Sequence, residues 1–350
     1  MNLTTTESGR ETRDLPRLTT TVPKEYVHRA SLAEVFLTDC TARGGLGFTL
    51  TGQWPRAHTY FTSPDGTRHD PLQVAETFRQ AGIFLAHTEL DVPLGHHFVM
   101  WALSYTTDPH GLRIGPRPTD FTITAHYTEL VQRRHTINRA TIDLTLHRDN
   151  TPIAHGTATF STISPSVYTR LRGNTPTPTT TTDTDTDTTD ADTTDTRTRA
   201  TTGITTTGPA TPTPPTPAIP LHAWAAGTPT TPHTVLTPTP HPHRWLLTPN
   251  LNHPTLFDHT GDHIPGMVLL EAARQAAHHA TNNPAYTPTS ATTTFTRYTE
   301  FDHPCHIDIT HITPNNHTTT IHITGHQNNH TVFTSTLTGP TPPTTNTTPQ

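Results

Sequence analysis

The chain has 350 residues, a formal charge of −6, 30% hydrophobic and 14% charged residues, 35 prolines and 27 histidines. That length allows two or three domains, and the absence of any basic block argues against nucleic acid as a partner. No run of eighteen apolar residues exists to span a membrane. The opening MNLTTTESGRETRDLPR lacks the apolar core of a secretory leader, so a cytoplasmic protein is expected.

In chain order, a first helix is predicted near 70–87, around VAETFRQAG (74–82). Its apolar positions cover much of the circumference, as in a buried helix. Extended stretches follow in HHFVMWALSYT, DFTITAHYTEL, ATIDLTLHRD and PIAHGTATFSTI, with alternation at Ile142, Leu144 and Leu146. HRDNTP carries Asp and Asn where a hairpin must turn. Segment 173–217, typified by TTTTDTDTDTTDADTTDT, holds almost no apolar side chain larger than Ala beyond proline and Ile204. It cannot bury enough surface to offset ordering entropy, and a disordered linker is expected. A second helix is predicted near 266–281, with Pro265 tolerated because a first-turn N–H needs no partner. Strand alternation returns at Ile321 and Ile323, and HQNNHT supplies the matching turn. The tail 339–350 is expected to be disordered. Two folded segments remain, 20–172 and 218–338.

These segments repeat each other. Glu76, Arg79, Gln80 and Ala81 answer Glu271, Arg274, Gln275 and Ala276 in a shared E-x-x-R-Q-A pattern. HYTEL (126–130) answers RYTEF (297–301), and IDLTLHRDNTPIAHGTATF (142–160) answers IHITGHQNNHTVFTSTLTG (321–339). Three matches in one order indicate a duplication. A long helix followed by an antiparallel meander implies a sheet wrapped around that helix. The predicted fold class is α+β: a double hotdog, two tandem repeats in one chain.

VPKEYVHRASLAEVFLTD (22–39) and FDHTGDHIPGMVLLEAARQAA (257–277) resemble the two signatures of the A-factor biosynthesis (AfsA-type) hotdog-repeat family. The resemblance implies γ-butyrolactone signal synthesis: a β-ketoacyl group passes from acyl carrier protein to dihydroxyacetone phosphate, and the ester closes by aldol condensation. No cofactor is expected. PGMVLLEA is also similar to the P-G-V-L-x-x-E-A stretch of β-hydroxyacyl carrier-protein dehydratases, whose catalytic carboxylate matches Glu271. Their histidine position is Phe257 here, with His253 and His259 displaced from it, and Thr62 stands there in the first repeat. The alternatives are a dehydratase or thioesterase on carrier-protein thioesters, or a non-catalytic acyl-ligand sensor.

An E-x-x-R pair shares one helix face and is by default a salt bridge. In apolar surroundings such a carboxylate can instead serve as a base near working pH. On this reading Glu271 is the general base and Arg274 binds the substrate phosphate through its planar fork. Glu76 and Arg79 form the sister pair and complete the site across the repeat interface. His259 orients or protonates the substrate, while Asp262 and His263 solvate the loop or cap the helix. The helix N-terminus at Gly266–Met267 offers N–H groups to the thioester oxygen. Arg29, beside His28, is read as a surface charge or a carrier-phosphate contact. Cys40 and Cys305 are read as separate thiols, and no metal motif is present. A homodimer beyond the internal pairing is left open.

Overall fold

The structure, a computed structural model, describes residues 20–173, 232–259, 261–281 and 286–341. The first half runs β1 (Leu37–Gly44), β2 (Gly47–Trp54), α1 (Pro71–Thr88), β3 (His97–Thr107), β4 (Thr119–Arg133), β5 (Thr136–Arg148), β6 (Thr151–Ile163) and α2 (Pro165–Arg172). The second runs β7 (Leu236–Pro238), β8 (Arg244–Leu247), α3 (Gly266–Thr281), β9 (Ser290–Phe295), β10 (Cys305–Pro314), β11 (Thr318–Gln327) and β12 (His330–Pro340). Among the described residues these strands form one twelve-stranded sheet in the order β1-β2-β4-β5-β6-β3-β9-β12-β11-β10-β8-β7. Read from both edges the order is palindromic: each strand of the first half has its counterpart at the mirrored place. The double hotdog is therefore realised as two half-sheets fused along β3 and β9, antiparallel with Leu103 opposite Thr293 and Tyr105 opposite Ala291.

Helix α1 starts where Asp70 caps it, its carboxylate accepting from Leu72 N–H, with Pro71 in the first turn. Every residue of α1 but Arg79 and Thr88 is buried, as its all-round apolar pattern demands. The two hairpin signals are realised alike. Asp149 and Asn150 take φ of 50° and 62°, and Asn328 and Asn329 take 52° and 61°. Paired left-handed residues make the tight turn whose twist suits antiparallel strands, and Asn and Asp tolerate it.

Two differences from the sequence reading stand out. The hairpins β1–β2 and β7–β8 precede the helices and are not among the predicted elements. Strand β12 runs to Pro340, so residues 339–340 are ordered by pairing, Gly339 with Thr319 and Pro340 with Thr318. The rest of the tail, the linker 174–217 and residues 218–231 lie outside the described residues.

Candidate functional site

The segment before β1 enters on a short helical turn, Lys24–Val27, after which His28 takes a left-handed φ of 52°. That turn drives Arg29 inward, where it is 7% exposed. Its Nε and Nη2 lie 3.0 and 2.6 Å from Glu76 Oε1, and its Nη1 donates to the carbonyl of Thr255 at 2.9 Å. Glu76, fully buried on α1, also accepts from Arg79 Nε at 2.8 Å, from Arg79 Nη2 at 2.9 Å and from Gln80 Nε2 at 2.8 Å. Burial alone would raise this carboxyl. The two guanidiniums outweigh burial and hold it at about 2, so Glu76 is a permanent anion that fixes both arginines.

Residues from the second half complete the cluster. Asp258 accepts from the N–H groups of Ala30 and Ser31 at 2.7 and 3.1 Å, and lies 3.9 Å from Arg29 Nη1. Thr255 donates its hydroxyl to Glu34 at 3.3 Å. This crossing brings His259 to the α1 pair of the other half. His259 is exposed on the wall of a cavity yet crowded by its neighbours. Burial, then the charges of Arg79 and Arg29, push its pKa down to about 4, so at neutral pH its ring is an uncharged proton acceptor. Its neighbour His28 is pushed to about 3 by burial, with Arg79 as the next cause.

The cavity holds about 300 Å³ between the two halves. Arg29, Arg79, Thr255, His259 and His263 form its polar wall; Phe78, Gly82, Phe160, Leu269 and Phe295 belong to its apolar one. Gly266 and Met267, the first residues of α3, also border it. Trp101 and Arg297, both exposed, line it too. Arg79 leaves its Nη1 without a hydrogen bond among the described residues, since Nε and Nη2 serve Glu76 and Val27.

A family model described as the A-factor biosynthesis hotdog domain matches residues 10–164 and 233–341. A 2-oxo-3-(phosphooxy)propyl 3-oxoalkanoate synthase of Streptomyces virginiae is 37% identical over 317 residues, covering 90% of this chain and 96% of that protein. Its namesake from Streptomyces coelicolor is 34% identical over 91% of each. This chain belongs to the A-factor biosynthesis hotdog family. Among solved structures, the 12:0-ACP thioesterase from Umbellularia californica is similar at 10% identity and a TM-score of 0.46, over 86% of this chain and 100% of that one. Likeness at that level carries nothing about activity.

In this A-factor hotdog chain the two E-x-x-R pairs have unequal surroundings. Glu271 is fully buried, its oxygens taken by Arg274 at 2.6 and 2.8 Å and by Gln275 Nε2. Arg274 also faces Asp70 of the first half at 3.8 Å. The pseudo-symmetry is close. Gln80 ties α1 to Glu34 and Phe36 of the incoming chain, and Gln275 ties α3 to His233 and Val235 in the same way. His58 and His253 match as well. Each accepts two backbone N–H groups on Nδ1, from Tyr60 and Phe61 and from Thr255 and Leu256. His253 is thus a turn-fixing residue.

The residue after that histidine turn decides the asymmetry. Thr255 stands at the α1 site, whereas bulky Tyr60 stands beside Glu271, buried and close enough to feel its charge. Neither Glu271 nor Arg274 lines the cavity. Arg29, read from sequence as a surface charge or carrier contact, is instead a buried partner of Glu76. Asp262 caps nothing: it accepts from Tyr168 at 2.7 Å, from Arg172 at 3.0 Å and pairs with His263 at 2.7 Å. Thr255 and Asp258 were not candidates, although a paired hotdog requires each pre-helix loop to face the other repeat's helix.

Proposed function

We propose that this chain transfers a β-ketoacyl group from an acyl carrier protein thioester to a hydroxyl of dihydroxyacetone phosphate, forming a 2-oxo-3-(phosphooxy)propyl 3-oxoalkanoate. The carrying observation is one cavity with an apolar wall for an alkyl chain and a polar wall of Arg29, Arg79 and His259. Support comes from relatives named for that product and matched along nine-tenths of the chain, 90% for the first.

In this reading the alkyl chain lies against Phe78 and Phe160, and the phosphate faces the unpaired edge of Arg79, whose planar fork suits phosphate oxygens. His259 accepts the hydroxyl proton as the new C–O bond forms. The C–S bond then breaks, and the proton passes to the departing thiolate. The first-turn N–H groups of α3 border the same space and suit the developing oxyanion. Glu76 holds the two arginines in place. Glu271 and Arg274, with Tyr60 beside them, do not border this cavity, so the reading assigns the reaction to the α1 centre.

The dehydratase alternative needs a carboxylate free to act, and both Glu76 oxygens are already engaged. The test is to mix the protein with β-ketoacyl carrier protein and dihydroxyacetone phosphate. A phosphorylated ester or its cyclised butenolide is expected. Free acid alone would make the protein a thioesterase, and tight binding without turnover would make it a sensor.

A further inference from the structure

Gly82 lies on the apolar wall and has no evident reason to be glycine. It sits mid-helix in α1, buried, where glycine weakens a helix relative to alanine. Its backbone is not in the left-handed region, and an added Cβ would meet only Phe160 Cε1, at 3.7 Å, an ordinary contact. Neither conformation nor crowding calls for the missing side chain. Contrast Gly156, where a Cβ would come within 2.6 Å of the Phe78 ring, so that glycine is needed to seat a cavity wall. What absence provides at position 82 is volume inside the cavity. In the sister helix the repeat places Ala277 at this point, fully buried and off the cavity wall.

Gly82 is also placed along the substrate's path. It lies three residues beyond Arg79 on the same helix face, about 4.5 Å further along the axis. A chain whose polar end meets Arg79 and His259 and which runs along α1 passes over the bare face of Gly82, beside the Phe160 ring that lines the same cavity. We propose that Gly82 is the residue that sets acyl-chain selectivity, keeping open the room that admits longer or branched β-ketoacyl chains. This rests on the acyl-transfer reading above.

The test compares Gly82→Ala and Gly82→Leu with the unaltered protein on β-ketoacyl pantetheine thioesters of increasing chain length, with dihydroxyacetone phosphate as acceptor. The ratio of kcat/KM for long over short chains should fall stepwise, by about tenfold or more for leucine, because an apolar pocket discriminates a misfitting methylene by about that factor. Gly82→Ala should melt no lower than the parent. A length-independent change in Gly82→Ala, or no change, overturns the proposal. Should Gly82→Leu fail to fold, Gly82→Ala decides alone, its Cβ making only an ordinary contact. Should the parent protein esterify no dihydroxyacetone phosphate, the functional reading fails separately. Calorimetric titration with the same thioesters then decides: affinity that weakens with chain length in Gly82→Ala supports the selectivity role, and uniform affinity refutes it.

Discussion

Glu76→Gln keeps the side chain's shape and removes its charge. In the native protein that carboxylate is fully buried and accepts from Arg29, Arg79 and Gln80. The Arg29 side chain is 5% exposed, and the carboxylates that still act on it are Glu34 and Asp258, the latter 3.9 Å away. Breaking a buried pair by removing one partner strands a charge and costs about 3–5 kcal/mol. Glu34 and Asp258 offset part of this, which places the expectation at the lower end, about 3 kcal/mol. For a domain of this size each kcal/mol lowers Tm by about 2–4 °C, so a fall of roughly 6–12 °C is expected. Turnover should drop with it, because Arg79 would no longer be pinned to the cavity wall. Thermal unfolding by circular dichroism, paired with a transfer assay on the folded enzyme, measures both. A variant that melts like its parent but has lost turnover would refute the reasoning and make Glu76 a reacting group.

Three further outcomes are expected. His259→Gln should lower kcat by about 10²–10⁴-fold, the usual contribution of a positioned acid–base group, with Tm nearly unchanged; equal losses in both would make the residue structural. Glu271→Gln should lower Tm while the folded fraction retains its turnover, and a selective collapse of kcat would move the chemistry to the sister site. Acid should act in two ways. His69 and His278, pushed by burial to about 4, and His28, pushed to about 3, refuse protons that the unfolded chain binds near 6.5. Protonation therefore favours unfolding, so their contribution is complete above pH 6.5 and is lost as pH falls towards 4 and 3. Urea midpoints across that range test it; a flat profile would contradict these buried neutral rings. In assays brief enough to precede unfolding, kcat/KM should hold down to about pH 4–5, since His259 stays a neutral acceptor until about 4. An acid limb at 6.5 would exclude it as the base.

Much of the fold was legible because its signals are local. The helices near 70–87 and 266–281 emerge at Pro71–Thr88 and Gly266–Thr281, and Asp149–Asn150 and Asn328–Asn329 turn where their chemistry demands. The strands before each helix carry weaker alternation among threonines, and their pairing is with distant β4 and β10. Within the site, E-x-x-R-Q-A located both carboxylate pairs but could not rank them. The ranking depends on contacts between residues far apart in the chain: Asp258 on Ala30 and Ser31, Arg29 on Thr255, Tyr60 beside Glu271. No spacing rule reports which loop reaches which helix. Arg29 illustrates the point, since only the left-handed turn at His28 sends it inward.

The seam between β3 and β9 joins two repeats that are encoded separately. When two identical subunits associate about a twofold axis, any substitution appears on both sides, and a side chain that plugs one centre plugs both. Tandem repeats escape that constraint. Tyr60 can brace one half while Thr255 leaves its twin hollow, so rigidity and catalysis are free to be tuned in different copies of the same ancestral unit.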